Sequence, residues 1–313
     1  MIDKDKLNYL ALIKNYPWII IQNQNAIISP DVDGLLCGLL LSNYLKWKII
    51  GFYDGKELAI NKSFNINHCI IVDIEIFRKD IKSCGHHMLI YNKKNISEVF
   101  QNFQNCINPN NIRNLDSKSD FKRKYPFAMI HFLLCIMGNF KEIKIDEKAI
   151  PPLLYVDGTF KNLLNYPENR IEWLNFFDAK NKNSPLYEIY VLFANRKIYQ
   201  IMHEMENIFK SFKKISSSKR GGDKIKISEI YDGNFGPEYL KRIISLLELL
   251  SHLTNWRFLI DKWILKDFTK FVFKKEIKNN INNKIFNDII EEQPISWAIT
   301  ATKRIEYTIG KIT

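Results

Sequence analysis

Over its first half the chain alternates short apolar runs with leucine-rich or aromatic-rich segments of helical spacing. Residues 25–29, Asn-Ala-Ile-Ile-Ser, read as a buried strand, and residues 34–45 follow it with the spacing of a helix. Residues 48–52 and 69–72 are two further apolar runs of strand length, and residues 82–91 carry another. A short amphipathic helix is expected over residues 5–16, ending before Pro17. Residues 127–137 are apolar all round, which predicts a buried helix. Apolar strands alternating with helices predict an α/β fold built on a doubly wound, mainly parallel sheet.

Residues 168–178 and 186–214 read as helices, the second long enough to bridge two domains, and residues 216–222 as a linker. A strand over 224–230 is expected next, then a pair of amphipathic helices over 237–273. A break falls at 279–283, with helices over 284–292 and 295–309. The organisation expected is a sheet domain over 1–200, a connecting helix and linker over 201–222, and a smaller, largely helical C-terminal domain over 223–313.

Composition narrows the class of protein. The chain has 313 residues, 46% of them hydrophobic, with 12 Gly and 10 Pro, so it has the material for a substantial core. Its net charge of +12 favours an anionic partner, nucleic acid before a membrane surface. The chain's richness in Lys, Asn and Ile weakens that inference, because such a bias follows genome composition. The five cysteines, Cys37, Cys69, Cys84, Cys106 and Cys135, are odd in number and form no Cys-x-x-Cys pair, which suggests reduced, packed thiols. No apolar run reaches the roughly 18 residues of a membrane span. The first residues carry acids and no long apolar segment. The expectation is a soluble, cytoplasmic protein with no membrane partner.

The candidate chemistry lies where apolar runs stop. The first strand ends at Ser29-Pro30, and Asp31-Val32-Asp33-Gly34 follows. A βα turn of this kind delivers carboxylates to the edge of a sheet where ligands bind, and two oxygen ligands in one turn suit a hard cation. The simpler reading is that Asp31 or Asp33 caps the next helix. Cys69–Val72 ends in Asp73, Pro151–Val156 ends in Asp157-Gly158, and tandem histidines stand at His86-His87. Three acids and paired histidines on one expected sheet edge point to a metal cluster.

The order of these segments resembles the DHH phosphoesterase family: Asp-x-Asp-Gly, Val-Asp, x-His-His and Asp-Gly-Thr in sequence, over roughly residues 20–200. Asn108-Pro109 and Tyr125-Pro126 add a likeness to the RecJ-like exonuclease branch. The resemblance implies a two-metal hydrolase using Mn2+ (or Mg2+). Its metal ligands would be Asp31, Asp33, Asp73, His86 and Asp157, with Asp73 bridging and His87 supporting the site or the phosphate. It implies cleavage of phosphodiester bonds in single-stranded nucleic acid or short oligonucleotides. The alternatives are a phosphodiesterase for small or cyclic nucleotides, and a catalytically degraded subunit of the same fold that binds nucleic acid, a protein partner or a second copy. This chain departs from the family pattern in two places. Ile27 and Ser29 stand where a further ligand is usual, and Gly85 replaces the first acid of Asp-His-His. Five ligands suffice for one well-held cation and a second held more weakly.

Other residues read as structural. His68 and His131 lie in apolar contexts and are expected in the core, with Trp173, Phe176, Phe177, Trp256 and Trp263. His203-Glu204 lacks the second histidine of a zincin. Lys122-Arg123-Lys124, and Lys213-Lys214 with Lys219-Arg220, are the basic clusters best placed for a phosphate backbone. Ser218–Gly222 reads as a hinge before it reads as a phosphate loop.

Overall fold

The computed structural model describes residues 6–95, 98–215 and 224–312. The linker read at 216–222, with Lys219 and Arg220, lies outside the described residues. Six strands come from the first third of the chain: β1 (Asn25–Ile28), β2 (Lys48–Tyr53), β3 (Glu57–Asn61), β4 (Ile70–Val72), β5 (Lys82–Cys84) and β6 (Cys106–Ile107). After them come the β7 (Ile230–Tyr231) and β8 (Asn234–Phe235) hairpin, β9 (Phe268–Val272), β10 (Lys274–Asn279), β11 (Ser296–Ala301) and β12 (Arg304–Ile309). The central sheet has seven strands in the order β6-β5-β4-β1-β2-β3-β9. The pairs from β6 through β2 are parallel, whereas β3 is antiparallel to both β2 and β9.

The central strands β1, β2 and β4 are buried on both faces, which is why they read as unbroken apolar runs. Ala26 and Ile28 of β1 point into the larger core with Ile70 and Val72 of β4. Ile27 and Ile71 point into a second core closed by Phe273, Ile295 and Ile312. Chain order reverses at the centre: β1 leads through a helix to β2 on one side, while its other neighbour is β4. Ligands of open α/β sheets bind at the carboxyl ends of the strands flanking such a switch.

The helices of the first half are α1 (Tyr9–Asn15), α2 (Val32–Leu45), α3 (Pro109–Ile112), α4 (Ser117–Asp120) and α5 (Met129–Gly138). Helix α2 is buried on nearly every side, packed against β1 and α5. The all-round apolar character of α5 has the same cause, since every residue from Met129 to Met137 is buried. Next come α6 (Ile150–Tyr155), α7 (Thr159–Asn165), α8 (Pro167–Phe176), α9 (Tyr187–Tyr190), α10 (Leu192–Asn195) and α11 (Ile198–Ile215). The single bridging helix expected over 186–214 is thus three, of which only α11 is long. The last two are α12 (Pro237–Thr254) and α13 (Asn283–Glu291).

The C-terminal third departs most from expectation. It is not largely helical. Helices α12 and α13 stand where helices were read, but β9 occupies residues expected to be helical and joins the central sheet against β3. Residues 295–309 are not a helix either, but the β11–β12 hairpin, which with β10 forms a three-stranded antiparallel sheet in the order β10-β12-β11. Trp297 and Ile299, then Ile305 and Tyr307, are buried at alternate positions. That period of two, with β-branched and aromatic residues, is the strand signature. Over 224–229 the structure has a single bridge from Lys224 to Asp31 and a short 3-10 turn in place of a strand, and Ile230 opens β7. The apolar run after Pro17 is likewise a 3-10 turn.

Candidate metal centre

Three neighbouring parallel strands end together. Ile28 of β1 lies level with Val72 of β4, and Val72 with Cys84 of β5. The next residues are therefore Ser29, Asp73 and Gly85, side by side along the carboxyl edge. The Ser29 N–H donates to the Val72 carbonyl at 3.2 Å, which extends the pairing by one step. A Cβ at Gly34 would run into the carbonyl and hydroxyl oxygens of Ser29, so the glycine of Asp-x-Asp-Gly lets α2 start this close to β1.

Asp157 reaches the same place from elsewhere. It follows α6 and not a strand, because Pro151 and Pro152 sit in the first turn of a helix, where a missing N–H costs nothing. Asp73 and Asp157 both hold left-handed backbone, with φ of 73° and 48°. Aspartate tolerates that conformation better than most residues do, and such positions concentrate at functional sites.

Asp33, Asp73, His86 and Asp157 come together, each with a ligand atom within 4.8 Å of the others. A second grouping adds His87 to Asp73 and His86. These residues could hold a metal ion. The strongest structural sign is a pair of orphaned atoms. Asp73 Oδ1 and His86 Nδ1 lie 3.6 Å apart, both buried and without a hydrogen-bond partner among the described residues. Buried polar atoms rarely go unpaired, and a bound ion is one of the standard explanations. On the other side of the ring, His86 Nε2 lies 3.0 Å from Asp157 Oδ2. Asp157 is the most open of the four, its side chain 35% exposed at the mouth.

Asp33 plays a second part. Helix α5 begins after Ala128, whose side chain cannot accept a hydrogen bond. The Asp33 carboxylate does so instead, taking the N–H groups of Met129 (2.6 Å) and Ile130 (2.9 Å). Even so, burial and the Asp157 charge push Asp33 up to about 7, against an ordinary 3.8. Burial, with Asp33 beside it, holds Asp73 well above the usual carboxylate range. Burial alone would pull His86 down, but its hydrogen bond to Asp157 and the surrounding acids hold it above the ordinary imidazole value. His86 in turn overcomes the burial of Asp157 and holds that carboxyl low. The group thus retains protons in neutral solution that a cation would displace.

Asp31 stands apart from the four. It is the N-cap of α2, its Oδ1 accepting the Gly34 N–H at 3.2 Å, so the simpler reading of this residue holds. Ser29 bridges it to the cluster: its Oγ lies 2.9 Å from Asp31 Oδ1 and 2.5 Å from Asp73 Oδ2. His87 is exposed, its ring 4.0 Å from that of His86.

Glu75 was not singled out from the sequence and is central here. It is buried, and its carboxylate accepts from the Met88 N–H (2.9 Å) and the Asn108 amide (2.5 Å). A Cβ at Gly85 would lie 2.5 Å from Glu75 Oε2. The space that a side chain at position 85 would need is thus held by the Glu75 carboxylate, two residues beyond Asp73. The Asn-Pro and Tyr-Pro segments brace the histidine loop. Asn108 also donates to the Met88 carbonyl (2.8 Å), Asn110 donates to the His86 carbonyl (3.2 Å), and Asn110 accepts the Tyr125 N–H (2.7 Å).

Of the histidines expected in the core, His131 is buried, and burial pushes it down to about 4. His68 is exposed at the end of a 3-10 turn. The aromatic residues named with them, Trp173, Phe176, Phe177, Trp256 and Trp263, are buried. His203 lies 3.6 Å from Glu206, and Glu204 pairs with Arg196, with no metal grouping there among the described residues. Lys122, Lys213 and Lys214 are exposed, and Arg123 pairs with Glu172. All five cysteines are buried free thiols. No described helix is long and apolar enough to cross a membrane.

Two cavities meet at the cluster. One, of about 360 Å³, is lined by polar and apolar groups in similar measure, its charged residues being Asp31, Asp54, Asp73, Glu75 and Glu306 with Lys224 and Lys275. The other, of about 540 Å³, is largely apolar and shares Asp31, with Asp33 and Asp157 on its floor. No family model, curated protein or solved structure matches the chain.

Proposed function

We propose that the chain is a metal-dependent phosphoesterase. Within that class, we propose a DHH-type enzyme, nearest the RecJ-like nucleases, that cleaves phosphodiester bonds of single-stranded nucleic acid or short oligonucleotides. The observation that carries this reading is the convergence of Asp33, Asp73, His86 and Asp157 at the β1/β4 switch, with Asp73 Oδ1 and His86 Nδ1 left unpaired.

These four residues would hold one Mn2+ or Mg2+ ion tightly. A cation there supplies a water of lowered pKa and neutralises charge on a phosphoryl oxygen. The remaining work falls to the chain. Asp33, fixed by two backbone N–H groups, and Asp73, fixed by Ser29, give the cluster a rigid base. Asp157 keeps His86 oriented through Nε2. His87, exposed in the neighbouring cavity, is placed to donate to a phosphate oxygen, and Lys224 in the same lining is placed to pair with it. On the Asp31 side the Ser29 hydroxyl already joins the two carboxylates, so a second ion would be held less firmly there.

The test is digestion of labelled single-stranded DNA, RNA and dinucleotides with Mn2+, beside Asp157→Asn. Asparagine tolerates the backbone at 157, so this variant should fold and lose turnover by at least about 100-fold, the scale on which even supporting groups of metal sites act. Turnover that survives the substitution would remove Asp157 from the site. A polymer substrate should bind with a steep salt dependence. Turnover confined to dinucleotides, with little effect of salt, would favour the small-nucleotide alternative. Binding without turnover would favour the degraded subunit.

A pH dependence follows from the shifted carboxyls. Asp33 titrates near 7 in the folded chain and 3.8 is its ordinary value. Without metal, this group therefore stabilises the fold fully below about pH 4, and that contribution is lost as pH rises through 7. Thermal stability of the metal-free protein should fall between pH 5 and 8, while Mn2+ affinity rises over the same range with release of protons. Melting curves and calorimetry in buffers of different ionisation enthalpy measure both. Affinity independent of pH would contradict the assignment.

A further inference from the structure

We infer that the apolar cavity beside the metal cluster is a nucleobase site, holding the base of the nucleotide whose phosphate lies over Asp33 and Asp157. This deepens the phosphoesterase reading and rests on it. The cavity, of about 540 Å³, lies within the range of small-molecule sites. Its walls include Tyr155, Phe160, Met202, Met205 and Phe209, with Lys161 as the cation among its lining residues.

The chemistry of this cavity is mixed in an informative way. Its floor is anionic and suited to a cation and a phosphate, so a wholly apolar ligand such as an acyl chain would strand those carboxylates. Its walls offer thioether and aromatic surface, which inorganic phosphate would leave uncovered. A nucleotide satisfies both at once. Bases stack on such surfaces whatever their sequence, and methionine adapts its shape to what it covers.

The walls are also built for the purpose. Met202, Met205 and Phe209 fall at i, i+3 and i+7 of α11, along one stripe of the helix. Met205 is buried, but Met202 and Phe209 are 56% and 52% exposed, so the fold does not use them to fill its core. Ile201, Ile208 and Phe212 anchor the helix instead. The Tyr155 ring meets that of Phe209 edge-on at 5.5 Å and that of Phe212 at 5.0 Å, which sets the angle of the wall. The second cavity, which shares Asp31, sets Lys224 and Lys275 among Asp54, Asp73, Glu75 and Glu306, with Lys275 paired to Glu306, and offers no comparable apolar wall. The substrate would sit with its base on the apolar side and its phosphate over the cluster.

The test uses the full chain with Mn2+ and compares adenosine 5′-monophosphate, uridine 5′-monophosphate, ribose 5-phosphate and inorganic phosphate by calorimetry. Mn2+ is titrated first. The parent protein should bind both nucleotides at least about tenfold tighter than ribose 5-phosphate, within what one stacked base contributes. Met202→Ala/Phe209→Ala should lose most of that difference, with Mn2+ and ribose 5-phosphate binding unchanged. Nucleotides that bind no tighter than ribose 5-phosphate would overturn the base site, as would a double variant that binds them like the parent. A concentration-dependent dimer abolished by the double variant, with nucleotide affinity unchanged, would assign the surface to a second copy and overturn it equally. If the parent binds no Mn2+, the phosphoesterase reading fails and this inference with it. If Mn2+ binds and only the base preference is missing, the phosphoesterase reading stands alone.

Discussion

Replacing Asp73 by asparagine is expected to weaken Mn2+ binding by at least about 100-fold while leaving the metal-free fold intact. Groups that merely support metal ligands cost 10–100-fold when removed, and Asp73 is placed as a ligand. Its Oδ1 is one of the two orphaned atoms, and its Oδ2 is already engaged by Ser29. The amide has nearly the same shape and tolerates the left-handed backbone at φ 73°. It also removes an acid whose ionisation is opposed by burial and by Asp33, Asp31 and Asp157. The metal-free variant should therefore melt at or above the temperature of the parent at neutral pH. Added Mn2+ should raise the melting temperature of the parent but not of the variant. A variant that unfolds, or one that still gains stability from Mn2+, would contradict the role given to Asp73.

Placing an acid at position 85 is expected to harm the protein. By family resemblance Gly85→Asp looks like a repair, since the first residue of Asp-His-His is an acid. In this structure a Cβ at 85 would meet Glu75 Oε2 at 2.5 Å and Cδ at 2.7 Å. Overpacking of this kind costs about 1–3 kcal/mol, and a second buried carboxylate against the first adds to it. Glu75→Ala alone should also destabilise, by about 1–3 kcal/mol, because it strands the Met88 N–H and the Asn108 amide. The double variant Glu75→Ala/Gly85→Asp should be more stable than the sum of the two changes predicts. Chemical denaturation of the four proteins measures that coupling. Additive effects would mean that the two positions do not share one carboxylate site.

This exchange marks the boundary of what the sequence could disclose. The ends of β1 and β4 were readable because buried parallel strands are continuous apolar runs, and Asp33 and Asp73 follow directly from them. His86 was readable from the tandem histidines, and α5 from its all-round apolar character. Asp157 was found by its local motif but assigned to the wrong kind of element. Leu153–Val156 is too short for periodicity to separate strand from helix, and Pro151-Pro152 suits the first turn of α6. Asp31 proved to be a helix cap as well as a neighbour of the site, two roles that one turn sequence encodes identically.

Glu75 and Gly85 are ten residues apart in the chain, and nothing local says that they compete for one space. The same holds for Ser29, since nothing local announces that its hydroxyl joins Asp31 to Asp73. In the C-terminal third, residues 295–309 mislead because Trp-Ala-Ile and Ile-Glu-Tyr can be fitted to either period. Their pairing with β10 decides the outcome, and that is a tertiary effect. The exposed stripe of Met202 and Phe209 reads in sequence as part of an ordinary amphipathic helix. Only the neighbouring Asp33 and Asp157 give it a meaning.

The central claim is that Asp33, Asp73, His86 and Asp157 together bind a divalent cation. The most direct measurement is anomalous scattering at the manganese edge from crystals of the full chain grown or soaked with Mn2+. The account predicts a strong peak bonded to those four side chains, with Asp73 Oδ1 and His86 Nδ1 no longer unpaired. A crystal that shows no peak there, or places manganese only at other residues, would contradict it.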